Sequence, residues 1–453
     1  MTKVITYGSF DLFHEGHYNL LKHAKELGDY LIVGVTTEHF DEARGKVNLV
    51  DPIMTRIENV RKTGFADMII VEDHDGQKIE DIQKYGIDIF TVGSDWTGHF
   101  DYLNSFCKVV YLPRTPGISS TQKRNSSRRL INIGIIGTGR IAPRFFEESK
   151  YVSGAEVVNS FNPDENPDTA QSIKSFKERT QLPVEQHDFN AFLDTVDAVY
   201  IASPNGTHYQ YAKAALNHEK HVLSEKPLTF TRKESEELYS IARNNDTVLM
   251  EGIKTAYCPG FQQLINVAKS GQIGEIRDVE ATYTRLADPK SREMTDLDYG
   301  GAFLENGNYC LLPIIKLFGT HYNSIQISCI DDEKGLDMYT KIQMTFPGGF
   351  ATANSGVGVK SDGELVIAGT KGYIVAPSPW WLTKSFDIRY EDPGKIDHFE
   401  PVFQGEGFRY EIADFVRKIN HQSDHDYKLT AEESIVMADV VEQFLRQRGR
   451  LHE

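Results

Sequence analysis

The sequence has little cysteine, no excess of basic residues and no long apolar run. Lys and Arg total 49 against 65 Asp and Glu, and this net charge of −16 argues against general nucleic-acid binding. No run approaches the about 18 apolar residues of a membrane span, and no signal-peptide pattern opens the chain. These absences predict a cytoplasmic protein without a membrane partner. The cysteines have no disulfide-like or zinc-like spacing, which suits a reducing compartment: Cys107, Cys258, Cys310 and Cys329.

The 453 residues suggest about three domains. Short apolar runs alternate with helix-like stretches from residue 2 to 112 and again from 131 to 251. This alternation predicts α/β architecture with two parallel, Rossmann-like sheets. From residue 252 onward, longer polar–apolar alternations predict an α+β domain with a mixed, largely antiparallel sheet. The expected boundaries are 1–124, a linker at 125–130, 131–251 and 252–453.

The segment around the linker is polar and basic. Residues 122–129 carry four positive charges without apolar periodicity, which favours a solvated connection. A basic patch for nucleic acid is the alternative interpretation. One short run in an acidic chain gives it little support, and we expect no nucleic-acid partner.

A His-x-x-His pattern follows the first apolar run. His14 and His17 fall at a predicted strand-to-helix junction, where backbone N–H groups and the helix dipole favour anions. Two imidazoles there suit nucleotidyl transfer, which needs alignment and charge neutralisation more than covalent chemistry. The four residues alone are equally typical of structural histidines. Two further segments favour a site: 114–121, with a guanidinium and a run of hydroxyls, and 92–96, with an acid and an aromatic ring.

Residues 1–124 resemble the glycerol-3-phosphate cytidylyltransferase family through VITYGSFDLFHEGH, GDYLIVGV, GSDWTGHFD and VVYLPRTPGISST. The resemblance implies CTP with Mg²⁺ as the nucleotide and a polyol phosphate as acceptor. It implies that Asp11 supports the magnesium or the neighbouring loop. Ser94 stands where an acid is common, which leaves the identity of the polyol phosphate open. The implied catalytic residues are His14, His17, Lys46 and Arg114, and the implied CTP contacts are Gly8, Phe10, Asp11, Gly16, Asp95, Trp96, Ser119, Ser120 and Thr121.

A glycine fingerprint opens the second βαβ series. Gly137 permits a tight turn, Gly139 lets a pyrophosphate approach, and Ala142 allows close helix–strand packing. The strand before Asn162 is followed by neither an immediate acid nor an arginine, so NAD and NADP both remain open. Lys226 follows a later predicted strand, at the edge where ligands bind in open α/β sheets.

The motifs GTGRIA, SPNGTH, EKP and GGAFLENGNY resemble the glucose–fructose oxidoreductase and inositol dehydrogenase family (Gfo/Idh/MocA) from residue 131 to about 320. The resemblance implies reduction of a carbonyl, with Tyr309 passing the proton and Lys226 lowering the pKa of Tyr309 or sharing its proton. Glu305 replaces the commoner Asp, and Tyr257 is a candidate for the pocket wall. The implied catalytic residues are Lys226, Tyr309 and Glu305, and the implied NAD(P) contacts are Gly137, Gly139, Arg140, Ile141, Ala142, Asn162, Ser203, Pro204, Asn205, His208 and Glu225.

Together the two resemblances predict a bifunctional enzyme that makes a CDP-activated polyol for a cell-wall or capsule polymer. It would reduce a sugar or sugar-phosphate carbonyl and transfer a cytidylyl group to the polyol phosphate. Three alternatives stay open: reduction of a free or CDP-linked sugar, one domain acting only as a scaffold, and a nucleotide sensor without catalysis. We expect no protein-bound metal and a homo-oligomer, either dimer or tetramer.

Overall fold

The computed structural model describes residues 1–37, 40–41, 51, 53–74, 76–113, 130–163, 167–420 and 428–451. The chain divides into two compact units. The first comprises Met1–Leu130 with Tyr151–Ala155, and the second comprises Ile131–Lys150 with Glu156–Glu453. Among the helices in these ranges, none is long and apolar enough to span a bilayer.

The first unit is a parallel five-stranded sheet in the order β3-β2-β1-β4-β5. Strand β1 is central, and its successive residues Val4 and Ile5 enter core clusters on opposite faces. Strand order reverses between β1 and β4, where open α/β sheets form ligand crevices. The elements are β1 (Lys3–Gly8), α1 (Glu15–Glu26), β2 (Tyr30–Thr36), α2 (Ile53–Lys62), β3 (Met68–Glu72), α3 (Gln77–Tyr85), β4 (Ile89–Gly93) and β5 (Lys108–Leu112), with 3₁₀ turns at Ser94–Trp96 and Asp101–Ser105.

The second unit begins with a six-stranded sheet in the order β11-β10-β9-β6-β7-β8. Strand β6 pairs in parallel with β9, β9 with β10, and β10 with β11. The elements are β6 (Ile131–Ile136), α4 (Ala142–Ser149), β7 (Ala155–Phe161), α5 (Pro167–Thr180), β8 (Val184–Glu185), α6 (Phe189–Asp194), β9 (Ala198–Ile201), α7 (His208–Asn217), β10 (His221–Glu225), α8 (Arg232–Asn244) and β11 (Leu249–Gly252), with a 3₁₀ turn at Asn205–Thr207.

An eight-stranded sheet follows, in the order β13-β14-β15-β12-β16-β17-β18-β19. Among the strand pairs that the structure describes in this sheet, β12 and β15 are parallel and the others are antiparallel. The elements are α9 (Lys254–Tyr257), α10 (Pro259–Lys269), β12 (Ile276–Thr284), α11 (Arg292–Thr295), α12 (Ala302–Phe318), β13 (Ser324–Asp331), β14 (Asp337–Phe346), β15 (Gly349–Gly356), β16 (Leu365–Gly369), β17 (Tyr373–Ala376), β18 (Phe386–Arg389), β19 (Ile396–Phe399), α13 (Phe408–Asn420) and α14 (Ala431–Gln447), with a 3₁₀ turn at Trp380–Leu382.

The predicted fold class is confirmed. Two open α/β sheets and a mixed, largely antiparallel sheet occur in the predicted order. Helix α12 packs on β12, β14 and β15, so one face of the large sheet carries a largely buried helix. The predicted linker at 125–130 lies outside the described residues except for Leu130.

Candidate active sites

His14 caps helix α1 through its own side chain. Its Nδ1 accepts hydrogen bonds from the backbone N–H groups of Gly16, at 3.0 Å, and His17, at 3.4 Å. An Nδ1 that accepts two donors carries no proton, so the neutral ring is protonated on Nε2. The cap thereby fixes the Nε2–H at the N-terminus of a helix, where an anion is favoured.

The second imidazole lies against the first. The rings of His14 and His17 stack with centroids 3.9 Å apart and an interplanar angle of 15°. Phe10 approaches His17 edge-on at 5.4 Å, and its backbone has a left-handed φ of 52°. A Cβ on Gly8 would come within 3.1 Å of the Phe10 ring, so glycine permits this close approach. Gly8, Phe10, His14, Gly16 and His17 therefore form one assembly after β1.

Asp11 supports the neighbouring loop, one of its two predicted roles. Its fully buried carboxylate accepts a hydrogen bond from the backbone N–H of Asp51 at 2.8 Å. The Asp51 carboxylate in turn accepts from the backbone N–H of Leu12 at 3.0 Å. The two acids thus fix the loop that carries the histidines.

Arg56 on α2 is a site-positioning residue that the sequence analysis missed. Its buried guanidinium donates to the backbone carbonyls of Ser9 and Thr36, both at 2.8 Å, and of Asp51 at 2.9 Å. It thereby joins the carboxyl ends of β1 and β2. A charged residue on the inner face of an amphipathic helix was the only signal available in the sequence.

The segment after β4 supplies an aromatic ring at the same sheet edge. Trp96 is half-buried and contacts the rings of His99 and Phe100, with centroids 5.3 Å and 5.8 Å away. Because β1 and β4 are parallel neighbours, Trp96 and the histidines follow adjacent strand ends. Several predicted residues lie outside the described residues: Lys46, Arg114, Ser119, Ser120 and Thr121. The side chain of Asp95 is likewise not described.

The glycine loop after β6 has the geometry of a dinucleotide-binding turn. Gly137 has a φ of 97°, and a Cβ there would lie 2.7 Å from the backbone oxygen of Ala202. A Cβ on Gly139 would meet nothing within 4 Å, which leaves open space for a ligand. Ile141 is the N-cap residue of α4, and the buried Ala142 begins that helix. These residues fit the pyrophosphate of NAD(P) at a helix N-terminus.

Asn162 supports this loop. Its side-chain N–H donates to the Thr138 hydroxyl at 2.7 Å, and Ser172 donates to the Thr138 carbonyl at 2.8 Å. The structure thus places the Asn162 amide on the protein's own glycine loop.

His208 joins two strand-end loops. Its Nε2 lies 2.9 Å from the Ser203 carbonyl, and its Nδ1 lies 2.9 Å from the Pro227 carbonyl. Burial lowers the pKa of His208 to about 4, so the ring is neutral near pH 7. A neutral ring has one N–H, so it can donate to one of these two carbonyls, and the role that this geometry supports is positioning of the loops containing Pro204 and Lys226.

Lys226, Glu305 and Tyr309 converge at the carboxyl edge of the second sheet. Lys226 follows β10, and its Nζ donates to the backbone carbonyl of Glu305 at 2.6 Å. The same Nζ lies 4.0 Å from Glu305 Oε2 and 5.7 Å from the centre of the Tyr309 ring. Strand β10 and helix α12 therefore bring the three predicted catalytic residues together.

The Glu305 carboxylate is held by cations. Its Oε1 lies 3.1 Å from Arg285 Nη2 and 3.5 Å from Arg140 Nη2. Burial alone would raise the pKa of Glu305, but Lys226, Arg285 and other cations hold this pKa below its ordinary value. Glu305 is thus a permanent anion, and Arg285 is a further residue that the sequence analysis missed.

The net pKa shift of Tyr309 is upward, so any lowering by the Lys226 charge is outweighed. Burial, with the nearby Glu225, Tyr283 and Glu411, raises the pKa of Tyr309 well above its ordinary value. The phenol therefore keeps its proton at working pH, and no described residue accepts a hydrogen bond from it. A protonated hydroxyl suits a donor to a developing alkoxide.

Two buried acids lie behind this group. Tyr200 donates to Glu225 Oε1 at 2.7 Å, and burial raises the pKa of Glu225. Glu411 on α13 is fully buried, and burial followed by the charge of Glu225 raises its pKa well above the usual range. The predicted cofactor residue Glu225 is thus placed next to a buried acid that the sequence analysis did not identify.

Two remaining predicted residues are engaged within the protein. Asn205 is buried, and its Oδ1 accepts from Arg292 Nη2 at 3.3 Å. Tyr257 is 2 % exposed and donates to the Glu251 carbonyl at 2.9 Å, which removes it from the pocket wall.

The two sites define a protein with two α/β nucleotide-binding folds, one for phosphates at a histidine-capped helix and one for a dinucleotide beside a lysine–tyrosine pair. The cytidylyltransferase-like family model matches residues 5–129, and the model for the oxidoreductase family with an NAD-binding Rossmann fold matches 131–253. The GFO/IDH/MocA C-terminal domain model matches 261–375. The chain belongs to the cytidylyltransferase family in its N-terminal part, and its residues 131–253 and 261–375 match the two domain models of the GFO/IDH/MocA oxidoreductase family. It is an enzyme with a cytidylyltransferase domain and an NAD(P)-binding oxidoreductase domain.

Relatives match both parts. A glycerol-3-phosphate cytidylyltransferase from Bacillus spizizenii is 50% identical over 122 residues, which is 27% of this chain and 94% of that protein. The scyllo-inositol 2-dehydrogenase (NADP(+)) IolU from Bacillus subtilis is 28% identical over 336 residues, covering 71% of this chain and 98% of that protein. A 3-ketoreductase from Actinomadura kijaniata, solved with TDP-benzene and NADP, has a TM-score of 0.60 at 24% identity and covers 69% of this chain and 96% of its own. Both predicted resemblances are confirmed.

Proposed function

We propose that this enzyme makes a CDP-activated polyol by two reactions. An NAD(P)H-dependent reduction converts the carbonyl of a sugar or sugar phosphate into an alcohol. The polyol phosphate then attacks CTP and releases pyrophosphate, and the CDP-polyol serves cell-wall or capsule polymer synthesis. The observation that carries this proposal is the presence of both catalytic groups, the histidine pair and the Lys226–Tyr309 pair, on one chain.

Cytidylyl transfer is assigned to the first unit. His14 offers its Nε2–H, and the parallel His17 ring lies beside it at the helix N-terminus, so both can neutralise charge on the triphosphate. The 50% identity to a glycerol-3-phosphate cytidylyltransferase supports a polyol phosphate as acceptor. In the described ranges no group of three or more acidic, His or Cys side chains could hold a metal ion. We therefore propose that Mg²⁺ enters bound to the CTP phosphates.

Carbonyl reduction is assigned to the second unit. NAD(P)H supplies the hydride, Lys226 orients the carbonyl oxygen, and the protonated Tyr309 hydroxyl delivers the proton to it. Glu305 holds Lys226 in place through its backbone oxygen and its carboxylate. The similarity to an inositol dehydrogenase supports a polyhydroxylated substrate.

Reciprocal variants of the full chain test the assignment. The protein is incubated with CTP, Mg²⁺, NADH or NADPH and a panel of triose to hexose ketose and aldose phosphates, and products are identified by mass spectrometry. His17→Ala should abolish CDP-polyol formation and leave cofactor oxidation intact. Lys226→Ala should abolish oxidation and leave cytidylyl transfer to a supplied polyol phosphate intact. Failure of the wild-type chain to oxidise either cofactor with any substrate contradicts the proposal.

A second candidate is reduction of a CDP-linked sugar after cytidylyl transfer. A dTDP-sugar 3-reductase from Actinomadura kijaniata is 38% identical over 128 residues, although the match covers only 39% of that protein. This order predicts a CDP-sugar when the reduced cofactor is omitted. The first order predicts no CDP product from a ketose phosphate under that condition.

A further inference from the structure

We propose that the reductase site takes a phosphate-bearing carbonyl substrate, whose phosphate is bound by Arg140, Arg285 and Arg292 at the mouth of the site. This inference rests on the proposed reductase function and specifies its substrate class. Glu305 connects Arg140 and Arg285 to the catalytic lysine.

Side-chain exposure increases stepwise from the lysine to the arginines. Lys226 is 10% exposed and Glu305 16%, whereas Arg285 is 31%, Arg292 41% and Arg140 62% exposed. The group that would hold the carbonyl therefore lies deepest, and the guanidinium groups lie where solvent and substrate enter.

The Glu305 carboxylate lies between the buried lysine and the more exposed arginines. Glu305 Oε2 lies 4.0 Å from Lys226 Nζ, while Oε1 lies 3.1 Å from Arg285 Nη2 and 3.5 Å from Arg140 Nη2. The carboxyl group of Glu305 thus lies between Lys226 on one side and Arg285 and Arg140 on the other. A small sugar phosphate can place its carbonyl on Lys226 and its phosphate on the arginines at the same time.

Arg140 and Arg292 keep hydrogen-bonding capacity, whereas Arg285 Nη2 already contacts the carboxylates of both Glu293 and Glu305. Arg140 makes only long contacts, 3.5 Å to Glu305 and 3.8 Å to Glu293. Arg292 Nη1 lies 3.8 Å from Asp296 Oδ2. A guanidinium has five N–H donors in a planar fork that matches phosphate oxygens, so such long contacts leave donors for a ligand.

The cluster of cations suits an anionic ligand. Lys226 and the three arginines lie among three carboxylates, and Glu225 lies behind Lys226. A phosphate would give the arginines an anionic partner that a neutral sugar lacks. The three carboxylates are those of Glu293, Glu305 and Asp296.

Arg140 has a competing role that the other two lack. It directly follows Gly139 in the glycine loop and lies within reach of a bound cofactor pyrophosphate. Arg285 follows β12 and Arg292 lies on α11, both outside that loop. Cofactor affinity therefore distinguishes phosphate recognition on the substrate from phosphate recognition on NAD(P).

The test compares three forms of each carbonyl compound with the full-length enzyme: the free sugar, its phosphate monoester and its CDP ester. Cofactor oxidation at saturating NADPH or NADH gives kcat and KM, and fluorescence titration gives the cofactor Kd. The variants are Arg292→Gln and Arg285→Gln. Arg277→Gln is the matched control, because Arg277 lies at the start of β12, is 52% exposed and pairs with Glu275.

We expect a phosphate-bearing form to exceed the free sugar in kcat/KM by about 1,000-fold, since each of the three charge-assisted guanidinium contacts contributes about tenfold. Arg292→Gln should lower kcat/KM for the phosphate-bearing form about tenfold through KM, without changing the value for the free sugar or the cofactor Kd. Arg277→Gln should change neither. A preference for the CDP ester supports the same recognition and identifies a diphosphate as its source.

Equal kcat/KM for free and phosphate-bearing forms would overturn this inference and leave the reductase assignment standing. The same holds for an arginine variant that affects all substrates equally or that raises the cofactor Kd. Absence of reduction with every form would overturn the reductase assignment together with it.

Discussion

Among individual residues, His14 has two roles that use different atoms of one ring. Nδ1 caps helix α1 by accepting from Gly16 and His17, which fixes the ring and its tautomer. Nε2 is the atom that we propose as a donor to phosphate oxygens. Folding and proposed catalysis thus depend on separate nitrogens, and substitutions can separate them.

His14→Asn should keep the cap and lose the phosphate donor. Asparagine is a strong N-cap residue, so hydrogen exchange of α1 should stay near wild type, whereas His14→Ala should destabilise α1 by about 1 kcal/mol. Both variants should slow pyrophosphate release from CTP by about 100-fold, the loss typical for one transition-state donor. Near-normal turnover by His14→Asn would remove His14 from the chemistry.

Glu251 gives a pH dependence of stability. Burial raises its pKa from 4.5 to about 7. The folded state therefore binds the proton more tightly than the unfolded state, so this group's stabilising contribution is full below pH 4.5 and is lost as pH rises to about 7.

Glu251→Gln should remove that loss. In the wild-type protein, Glu251 Oε1 accepts hydrogen bonds from the Leu228 N–H and from the Asn308 side chain, and a glutamine oxygen can keep both contacts. The variant should gain up to about 3 kcal/mol over wild type between pH 5 and pH 8. Urea unfolding at the two pH values measures the gain, and an equal pH dependence in both proteins would disprove the shift.

At the level of elements, the turn between β6 and α4 contains two glycines with different roles, Gly137 in folding and Gly139 in the proposed ligand binding. A side chain at Gly137 would collide with the Ala202 backbone and require a φ of 97°. A side chain at Gly139 would point into open space. The two positions therefore predict opposite phenotypes for one substitution.

Gly139→Ala should leave the cofactor-free melting temperature unchanged and weaken NAD(P)H binding about tenfold or more, since the pyrophosphate must approach that backbone. Gly137→Ala should lower the melting temperature itself, because the strained turn cannot relax. Fluorescence titration and calorimetry measure both. Normal cofactor affinity in Gly139→Ala would place the dinucleotide elsewhere.

Helix α2 contributes one buried cation to the first site. Arg56→Lys loses the fork that joins Ser9, Thr36 and Asp51, and it leaves the buried Asp41 poorly paired. We expect the first unit to lose about 3 kcal/mol. Arg61→Lys, on the same helix and 63% exposed, should change stability by less than about 0.5 kcal/mol. Comparable effects of the two variants on urea unfolding would contradict the proposed role of Arg56.

Elements with regular apolar periodicity could be predicted from the sequence, and contacts between distant elements could not. Strand β6 (Ile131–Ile136) begins at the residue where the second predicted series of apolar runs starts, because four isoleucines in six residues end at a glycine turn. Strand β15 has no apolar run that could predict it, since Gly349–Gly356 is rich in glycine, alanine and polar residues and is stabilised by pairing with β12 and β14.

The candidate sites show the same limit. Lys226 and Tyr309 belong to short motifs and were identified. Arg285 and Arg56 act through ion pairs and hydrogen bonds to residues far away in sequence, which no local pattern indicates. The direction of the Tyr309 pKa shift also depends on burial and on Glu411, both of which only the fold reveals.

At the level of the whole molecule, two enzyme families occur on one chain. The matches to residues 5–129 and 131–375 leave almost no sequence between the two chemistries. A polyol phosphate is both a product of carbonyl reduction and an acceptor for cytidylyl transfer. This shared compound is the reason for proposing one product rather than two unrelated activities.

Transfer of deuterium from the reduced cofactor to the nucleotide product tests this claim most directly. The full chain is incubated with CTP, Mg²⁺, a ketose or aldose phosphate and NAD(P)H deuterated at the transferable position. We predict a CDP-polyol one mass unit heavier than that from unlabelled cofactor, with the deuterium on the former carbonyl carbon. Cofactor oxidation that yields no labelled CDP-linked product would contradict the account.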